Sequence, residues 1–377
     1  MTDSTEKLDK MFGLISLTIV INSVIRMSSE KIEIPAVVEK KQEPDELEVK
    51  LKSEPELVSE DDVMSAKKSP TIPVFPSTLE EFDYKFNNKG ELLSISTNEP
   101  FIFNVRDGDH DYNQQRYEKL GDIITDYVYD ALENDLQLTK VNVPVDATEN
   151  EPHSFFFMTD DALTNKEKLL ILVHGSGVVR AGQWSRRLII NDCLDSGTQF
   201  PFIKRARDED YGVIVLNTND NYRIIDQTIT YIRGSDRPEH HIRYVWDHFI
   251  KHAKAKYISF IAHSYGGVAF FDLASNRYEE MKSRVSGVAF TDSVHGVMRI
   301  SPTVTNWIHN SGCNWVASNL PLDTPVINRR LAEDVPCVSA GHPRHDTTSW
   351  SSFSSIFTFL DEKRKQADAA ESNHEEL

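Results

Sequence analysis

The chain has 377 residues, of which 39% are hydrophobic and 10% aromatic, enough for at least one large domain with a buried core. Lysine and arginine number 41 and aspartate and glutamate 59, so the formal net charge is −18 at pH 7. This balance argues against direct nucleic-acid binding, which needs a basic surface to displace phosphate counterions. Three widely spaced cysteines, Cys193, Cys313 and Cys337, exclude a disulfide scaffold and a CxxC zinc site. We expect no metal and no cofactor.

The two ends of the chain carry features typical of targeting signals. Residues 1–27 form an apolar leader, in which the run 11–25 has the length of a signal-peptide core but is short for a membrane-spanning helix. We therefore expect no stable membrane span. The chain ends in His-Glu-Glu-Leu, close to the retention signals of the endoplasmic reticulum. Translation from Met27 would instead give a nuclear or cytosolic form. The sequence is therefore compatible with the endoplasmic reticulum and with the nucleus and cytoplasm.

Residues 28–72 have the composition of a disordered acidic linker. Between Glu30 and Asp62 twelve acidic residues accompany five lysines, and no residue is aromatic. Such a segment cannot bury enough apolar surface to offset the entropy lost on ordering. Most aromatic residues follow it, which predicts one globular domain over residues 73–361 and a charged tail over residues 362–377.

Deleting residues 28–70 should leave the free energy of unfolding of the domain almost unchanged, because the linker has no apolar surface to pack. Chemical denaturation of the full chain and of the deletion variant measures this difference. A loss of more than about 2 kcal/mol, the scale of a lost core contact, would show that the segment packs against the domain.

The domain begins with a predicted strand at 82–86, a returning strand at 100–103 and an amphipathic helix over 111–135. Short apolar runs without polar alternation then alternate with helical segments, which is typical of a doubly wound parallel sheet with helices on both faces. The predicted strands lie at 168–173, 212–216, 257–262, 286–291 and 336–339, and the predicted helices at 239–254, 266–282, 301–311 and 352–361.

The strand 257–262 runs into Ala-His-Ser-Tyr-Gly-Gly at residues 262–267, a variant of the G-x-S-x-G nucleophile elbow. The sharp turn requires small flanking residues, and alanine is the least disruptive replacement for the first glycine. This geometry would lift the hydroxyl of Ser264 above the sheet and direct the backbone N–H of Tyr265 at a developing oxyanion. The alternative is a structural turn with no chemistry.

The strand 168–173 ends in His174, Gly175, Ser176 and Gly177. An H-G-x-G turn after an early strand resembles the oxyanion loop of lipases and esterases, and Gly175 or Ser176 would supply a second backbone N–H. The alternative is a tight turn in which a glycine adopts positive φ. Because each motif stands at a strand end and the two occur in the expected order, each supports the other.

A catalytic triad in the order serine, acid, histidine requires two further residues after Ser264. The strand 286–291 ends in Asp292, and His295, His342 and His345 are the candidate bases. His295 would have to share the loop of the acid. We expect the Ser264 hydroxyl to lie within hydrogen-bond reach of one of these imidazoles, with Asp292 at the other ring nitrogen.

These motifs belong to longer segments that resemble the animal cotranscriptional regulators carrying an argonaute-binding-protein-two domain. The resemblance spans about residues 74–360, together with the His-Glu-Glu-Leu end. The segments that carry it are residues 173–184, 194–199, 244–249, 262–267, 291–295 and 344–350.

The resemblance implies an α/β-hydrolase-like fold with Ser264 as nucleophile, and it favours His345 as the base because that residue belongs to the R-H-x-x-T-S-W block. It also implies argonaute and chromatin- or splicing-associated partners and a nuclear role in RNA silencing or alternative splicing. After residues 212–217 the related animal proteins carry a long charged insertion, where this chain has only a short segment, residues 218–239.

Two function classes follow from this sequence. The first is an argonaute-binding cotranscriptional regulator that uses a hydrolase-like domain for protein contacts. The second is an active serine hydrolase of the endoplasmic reticulum that cleaves esters or thioesters through an acyl-enzyme. The fold class alone cannot separate them, because one fold hosts many functions.

Overall fold

The computed structural model describes residues 73–295, 300–327 and 335–375. The leader assigned to residues 1–27, the linker assigned to 28–72 and the last two residues of the His-Glu-Glu-Leu end lie outside the described residues. Within the described ranges, no helix has both the length and the apolar composition needed to cross a membrane.

An eight-stranded sheet organises the domain, in the order β12-β11-β10-β9-β5-β6-β4-β3. The six strands from β12 to β6 are parallel to their neighbours, whereas β4 and β3 run antiparallel at one edge. The strands β1–β2 and β7–β8 form two separate hairpins. The strands are β1 (Tyr84–Phe86), β2 (Leu92–Ser94), β3 (Thr139–Val143), β4 (Ser154–Met158), β5 (Lys168–Val173), β6 (Gly212–Val215), β7 (Tyr222–Ile225), β8 (Thr228–Tyr231), β9 (Tyr257–His263), β10 (Val285–Thr291), β11 (Gly312–Val316) and β12 (Cys337–Ser339).

Helices cover both faces of this sheet. They are α1 (His110–Asn134), α2 (Arg186–Asn191), α3 (Leu194–Gly197), α4 (Phe200–Asp208), α5 (Pro238–His248), α6 (Tyr265–Met281), α7 (Pro302–Ser311), α8 (Thr348–Ser351) and α9 (Phe353–Glu375). Short 3₁₀ turns lie at Ile250–His252 and His345–Thr347. One apolar cluster contains residues of α1, α4 and α9, and a second contains residues of α5, α6 and α7.

The central strand β5 shows why the sheet is buried on both faces. Leu170 and Leu172 belong to the first apolar cluster, whereas Leu169, Ile171 and Val173 belong to the second, and all five are fully buried. Successive side chains of a strand point to opposite faces, so an unbroken apolar run serves both layers. The predicted α/β-hydrolase-like, doubly wound sheet is therefore confirmed.

Several elements differ from their predicted extents. The partner of β1 is β2, not the predicted strand at 100–103, of which Pro100 makes only an isolated bridge to Leu93. The sequence does not predict β3, β4 and β11, because β3 and β4 form the antiparallel end of the sheet, with β3 at its edge, and β11 contains a polar residue, Asn314. The predicted helix 239–254 ends at His248 and continues only as a 3₁₀ turn.

The last helix is longer than the sequence predicts. Instead of ending at residue 361, α9 continues to Glu375, so most of the stretch assigned to a charged tail is helical. Its charges pair along the helix, with Arg364 contacting Asp361 and Asp368 and Lys365 contacting Asp361. Such i,i+3 and i,i+4 pairs support an exposed helical turn that has few apolar residues. Lys256 also contacts Glu371 at 2.7 Å, which connects the helix to the start of β9.

Candidate active site

Ser264 lies at the turn between β9 and α6, at the carboxyl edge of the sheet. Its backbone has φ 51° and ψ −118°, a conformation that residues other than glycine rarely adopt. The side chain is partly exposed, although β9 itself is buried from Tyr257 to His263. A strained backbone that lifts a hydroxyl out of a buried strand is the geometry expected of a nucleophile elbow.

Close backbone packing explains the small residues around Ser264. A Cβ atom placed on Gly266 would lie 2.7 Å from the carbonyl oxygens of both Val173 and His174. A Cβ atom on Gly267 would lie 1.8 Å from the hydroxyl of Ser293. The start of α6 can therefore approach β5 and the loop after β10 only because both positions are glycine.

The substitution Gly266→Ala should lower the free energy of unfolding by about 1–3 kcal/mol, because backbone oxygens cannot rotate away from the new methyl group. The matched control is Gly287→Ala in β10, whose Cβ would meet the flexible end of Leu360 at 3.0 Å. Chemical denaturation should show a clearly smaller loss for this control. Equal losses in the two variants would contradict the close approach at the elbow.

Asp292 and His345 form a hydrogen-bonded pair beside the elbow. Asp292 follows β10, and His345 begins the 3₁₀ turn beyond β12, yet their Oδ2 and Nδ1 atoms are 2.7 Å apart. The second carboxylate oxygen of Asp292 accepts a hydrogen bond from the backbone N–H of Ala317 at 3.1 Å. These two hydrogen bonds fix the carboxylate. Because Asp292 contacts Nδ1 of His345, the Nε2 atom of the same ring takes no part in the pair.

The electrostatics of Asp292 favour a charged carboxylate. Burial alone would raise its pKa, but the hydrogen bond from His345, the charge of His345 and the N–H of Ala317 outweigh burial, so the pKa lies below its ordinary value. A carboxylate that stays ionised at neutral pH can stabilise an imidazolium on its partner. The pair therefore has the electrostatic arrangement that a general base requires.

The hydroxyl of Ser264 makes no hydrogen bond to His345 or to any other residue in the described ranges. Two backbone contacts nevertheless hold Ser264 to the loop of the acid: its N–H donates to the carbonyl of Thr291 at 3.0 Å, and its carbonyl accepts from Val294 at 3.4 Å. Catalytic hydrogen bonds are often long in a ligand-free site and shorten only with substrate. The structure brings the acid and the histidine together and leaves the serine hydroxyl unbound.

The other two candidate histidines have different surroundings. His295 is buried in the core, where its ring stacks on Phe271 at 4.3 Å and its Nδ1 is 2.7 Å from the hydroxyl of Ser293. Burial lowers its pKa to about 4. His342 accepts a hydrogen bond from the backbone N–H of Arg344 through Nδ1. Of the three histidines, only His345 contacts Asp292.

The turn after β5 lies directly against the nucleophile. A Cβ atom on Gly175 would lie 3.0 Å from the Cβ of Ser264, so a larger residue there would press on the nucleophile. Ser176 and Gly177 are exposed, and Gly177 has φ 96°, which glycine tolerates. His174 is fully buried and donates its Nδ1–H to the carbonyl of Gly175 at 2.8 Å, so its imidazole supports the turn from inside.

Asn219, for which the sequence predicts no role, holds the same turn. Its side-chain amide lies within 3.2 Å of the carbonyl oxygens of Gly175, Gly177 and Val179. With the Gly175 carbonyl fixed by Asn219 and His174, the N–H of Ser176 must point in the opposite direction, because the peptide unit is planar and trans. The polar run after β6 was the available signal for this residue.

Tyr265 contributes to the site through its backbone. As the first residue of α6, its N–H has no acceptor within the helix, which is the position expected of an oxyanion donor. Its side chain points elsewhere, and its hydroxyl donates to Glu239 at 2.6 Å. Burial and the neighbouring Glu239 carboxylate raise the pKa of the phenol.

His263, which precedes the nucleophile, is a second residue of the site for which the sequence predicts no role. Its ring centroid lies 4.8 Å from that of His345, and burial lowers its pKa to about 3. Its Nδ1 lies 3.0 Å from the carbonyl of Thr291, which can only accept, so Nδ1 carries the proton of the neutral ring. His263 thus packs as a neutral imidazole against His345.

Within the described residues, no group of three or more His, Cys, Asp or Glu side chains is arranged to hold a metal ion. The site contains a partly exposed serine, a histidine–carboxylate pair and two candidate N–H donors from different strand ends. These are the kinds of group that nucleophilic attack by a serine on a carbonyl uses.

Comparison with known proteins gives matches over most of the domain. The family model described as the Arb2 domain matches residues 75–322. The chain is 49% identical over 339 residues to Cotranscriptional regulator ARB2A of Mus musculus, covering 76% of this chain and 81% of that protein. It is 48% identical over 370 residues to the Homo sapiens protein of the same name, covering 85% and 88%.

A more distant relative is the Cotranscriptional regulator ARB2A homolog of Dictyostelium discoideum, 34% identical over 316 residues, with 75% of this chain and 79% of that protein covered. Among solved structures, the histone deacetylase Clr3 is similar with a TM-score of 0.42 and 17% identity, covering 65% of this chain and 39% of that one. The epoxide hydrolase CorEH is similar with a TM-score of 0.33 and 12% identity, covering 59% and 98%.

Proposed function

Because this chain belongs to the Arb2 domain family, we propose that it acts as a cotranscriptional regulator in the nucleus. The observation that carries this proposal is its identity of nearly one half with two proteins named Cotranscriptional regulator ARB2A, over most of each chain. We further propose that it regulates RNA silencing or alternative splicing through contacts with argonaute and with chromatin- or splicing-associated proteins. Its net charge of −18 favours protein partners over naked RNA.

A binding experiment with purified components tests the argonaute contact. The full chain should retain purified argonaute after nuclease treatment, and Ser264→Ala should retain it equally, because the proposed contact does not use the serine. An unrelated acidic protein of similar size and charge is the control. Equal retention by this control, or no retention by the full chain, would overturn the proposed contact.

We also propose that the domain has serine-hydrolase chemistry, and the 2.7 Å contact between His345 and Asp292 carries this second proposal. In the proposed reaction, Nε2 of His345 takes the proton of the Ser264 hydroxyl while the oxygen attacks the substrate carbonyl. Asp292 stabilises the imidazolium that forms. The N–H groups of Tyr265 and Ser176 donate to the oxygen that becomes negative.

The second half of this reaction releases the acyl group. The imidazolium of His345 gives its proton to the leaving alcohol or thiol, which departs and leaves an ester on Ser264. A water molecule then loses a proton to Nε2 and attacks this ester, and the proton returns to Ser264 as the acid product leaves. The imidazole of His345 transfers the proton both when the acyl-enzyme forms and when it is hydrolysed. Its orientation by Asp292 therefore affects the rates of both steps.

Turnover of p-nitrophenyl butyrate tests this chemistry. The full chain should release p-nitrophenol faster than the uncatalysed reaction, and Ser264→Ala should abolish the difference. The matched control Ser176→Ala keeps the backbone N–H of the proposed oxyanion turn and should retain most of the activity. Equal rates in the full chain and Ser264→Ala would place any activity outside this site.

A further inference from the structure

The hairpin formed by β7 and β8 projects from the domain with little apolar cover. Asp226 and Gln227 connect its strands with φ values of 49° and 63°, as in a type I′ turn, whose twist matches that of the two strands. Its base is fixed, because Arg223 contacts both carboxylate oxygens of Asp220 and donates to the carbonyl of His153 at 2.6 Å. The hairpin is therefore held in a defined position.

One face of this hairpin is apolar and exposed. Tyr222 pairs with Tyr231, and Ile224 pairs with Ile229, so all four side chains lie on the same face. Their exposed fractions are 50%, 64%, 70% and 55%, and the two tyrosine rings meet edge to face at 6.4 Å. We call this set the hairpin face. An isolated two-stranded hairpin is marginally stable, so four exposed apolar side chains on one face indicate a binding surface.

The same four residues also direct backbone groups away from the ladder. The carbonyl of Tyr222 accepts a hydrogen bond from the side chain of Arg223 at 2.9 Å, whereas the outward-facing groups of Ile224, Ile229 and Tyr231 have no partner within the described residues. Ile225 and Thr228 flank the two-residue turn and form its hydrogen-bonded pair, and the N–H of Ile232 donates to Asn221 at 2.9 Å, four positions further from the turn. Hydrogen-bonded and non-hydrogen-bonded pairs alternate along an antiparallel ladder. The residues of the hairpin face are the non-hydrogen-bonded pairs, so their N–H and C=O groups point outward from both edges.

The area of the hairpin face and the charge around it indicate which kind of partner it can bind. Four such side chains cover on the order of 400 Å², whereas a standard interface buries about 800 Å² per partner, so side-chain packing alone would hold a globular partner weakly. Strand addition gains affinity from main-chain hydrogen bonds instead. The one arginine of the hairpin is paired with Asp220, the tip carries the exposed Asp226 and the chain has a net charge of −18. These charges disfavour a second copy and favour a basic segment.

We propose that the hairpin face binds an extended, positively charged segment of a partner protein, which adds to the hairpin as a third strand. Alternate apolar side chains of this segment would pack beside Ile224 and Ile229, and its backbone would pair with an outward-facing edge. The proposal is independent of the chemistry at Ser264.

A synthetic eight-residue peptide that alternates valine with lysine or threonine tests this proposal by calorimetric titration into the full chain. We expect saturable one-to-one binding in the micromolar range. The same peptide with every second amide N-methylated should bind at least about tenfold more weakly, because it keeps the side chains but loses the main-chain hydrogen bonds. This comparison uses the unmodified protein, so it does not depend on how a variant folds.

Two variants with the same charge change locate the binding surface. Ile229→Asp should weaken peptide binding at least about tenfold, whereas Thr228→Asp, whose side chain lies on the opposite face, should leave it within about twofold. Absence of binding, or equal binding of the N-methylated peptide, would overturn strand addition. A concentration-dependent dimer that Ile229→Asp abolishes in sedimentation experiments would show that the occupant is a second copy, and this result would also overturn the proposal.

Discussion

Replacement of His345 by glutamine is expected to slow the reaction of Ser264 with a fluorophosphonate by about 10²- to 10⁴-fold, the range that a positioned general base contributes. The reason is the geometry of the pair, in which Asp292 contacts Nδ1 at 2.7 Å and leaves Nε2 to accept the serine proton. Rates of covalent labelling, followed by mass spectrometry under excess reagent, measure the effect.

The controls for this prediction are the two other histidines that the sequence proposes as bases. His342→Gln and His295→Gln should label within about threefold of the unmodified chain, since neither imidazole contacts Asp292. His295→Gln also requires a stability measurement, because His295 is buried. A large loss with His342→Gln and none with His345→Gln would contradict the assignment of the base.

Acidification from pH 7 to pH 5.5 is expected to lower the free energy of unfolding by on the order of 5 kcal/mol, through four buried histidines. Burial lowers the pKa of His174 and His295 to about 4 and that of His241 and His263 to about 3. An unfolded histidine titrates near 6.5. Between that value and the folded pKa the unfolded chain binds more protons, so stability is lost as the pH falls through this window.

Chemical denaturation at a series of pH values measures this loss. His295→Phe keeps the aromatic contact with Phe271 and removes one of the four titrating groups, so about a quarter of the pH dependence should disappear. A free energy of unfolding that is constant from pH 7 to pH 5.5 would contradict the neutral state assigned to these histidines.

The sequence predicts those features that depend on short segments. The elbow follows from a small-residue pattern around Ser264, and the strand β5 follows from an apolar run with no polar alternation. The order of strand ends also predicts that Asp292 and a later histidine lie near one another. Each of these predictions needs only neighbouring residues and the general rule that parallel strands align their carboxyl ends.

The features that the sequence does not predict depend on contacts between distant segments. Asn219 supports the turn at Gly175 from 44 positions away, and although it lies in the polar run after β6, nothing in that run distinguishes it from the neighbouring asparagines. His263 is indistinguishable in sequence from any residue at the second position of an elbow, and only its distance to His345 gives it a place in the site. The helical continuation of α9 depends on ion pairs that include Lys256, more than one hundred positions earlier.

Reaction of the full chain with a fluorophosphonate, followed by intact-mass and peptide mass spectrometry, tests most directly whether Ser264 is a nucleophile. We predict one adduct per chain, on the peptide that contains Ser264, and no adduct at any residue of Ser264→Ala. An unmodified chain after prolonged reaction, or an equal adduct on Ser264→Ala, would contradict the serine-hydrolase chemistry proposed for this domain.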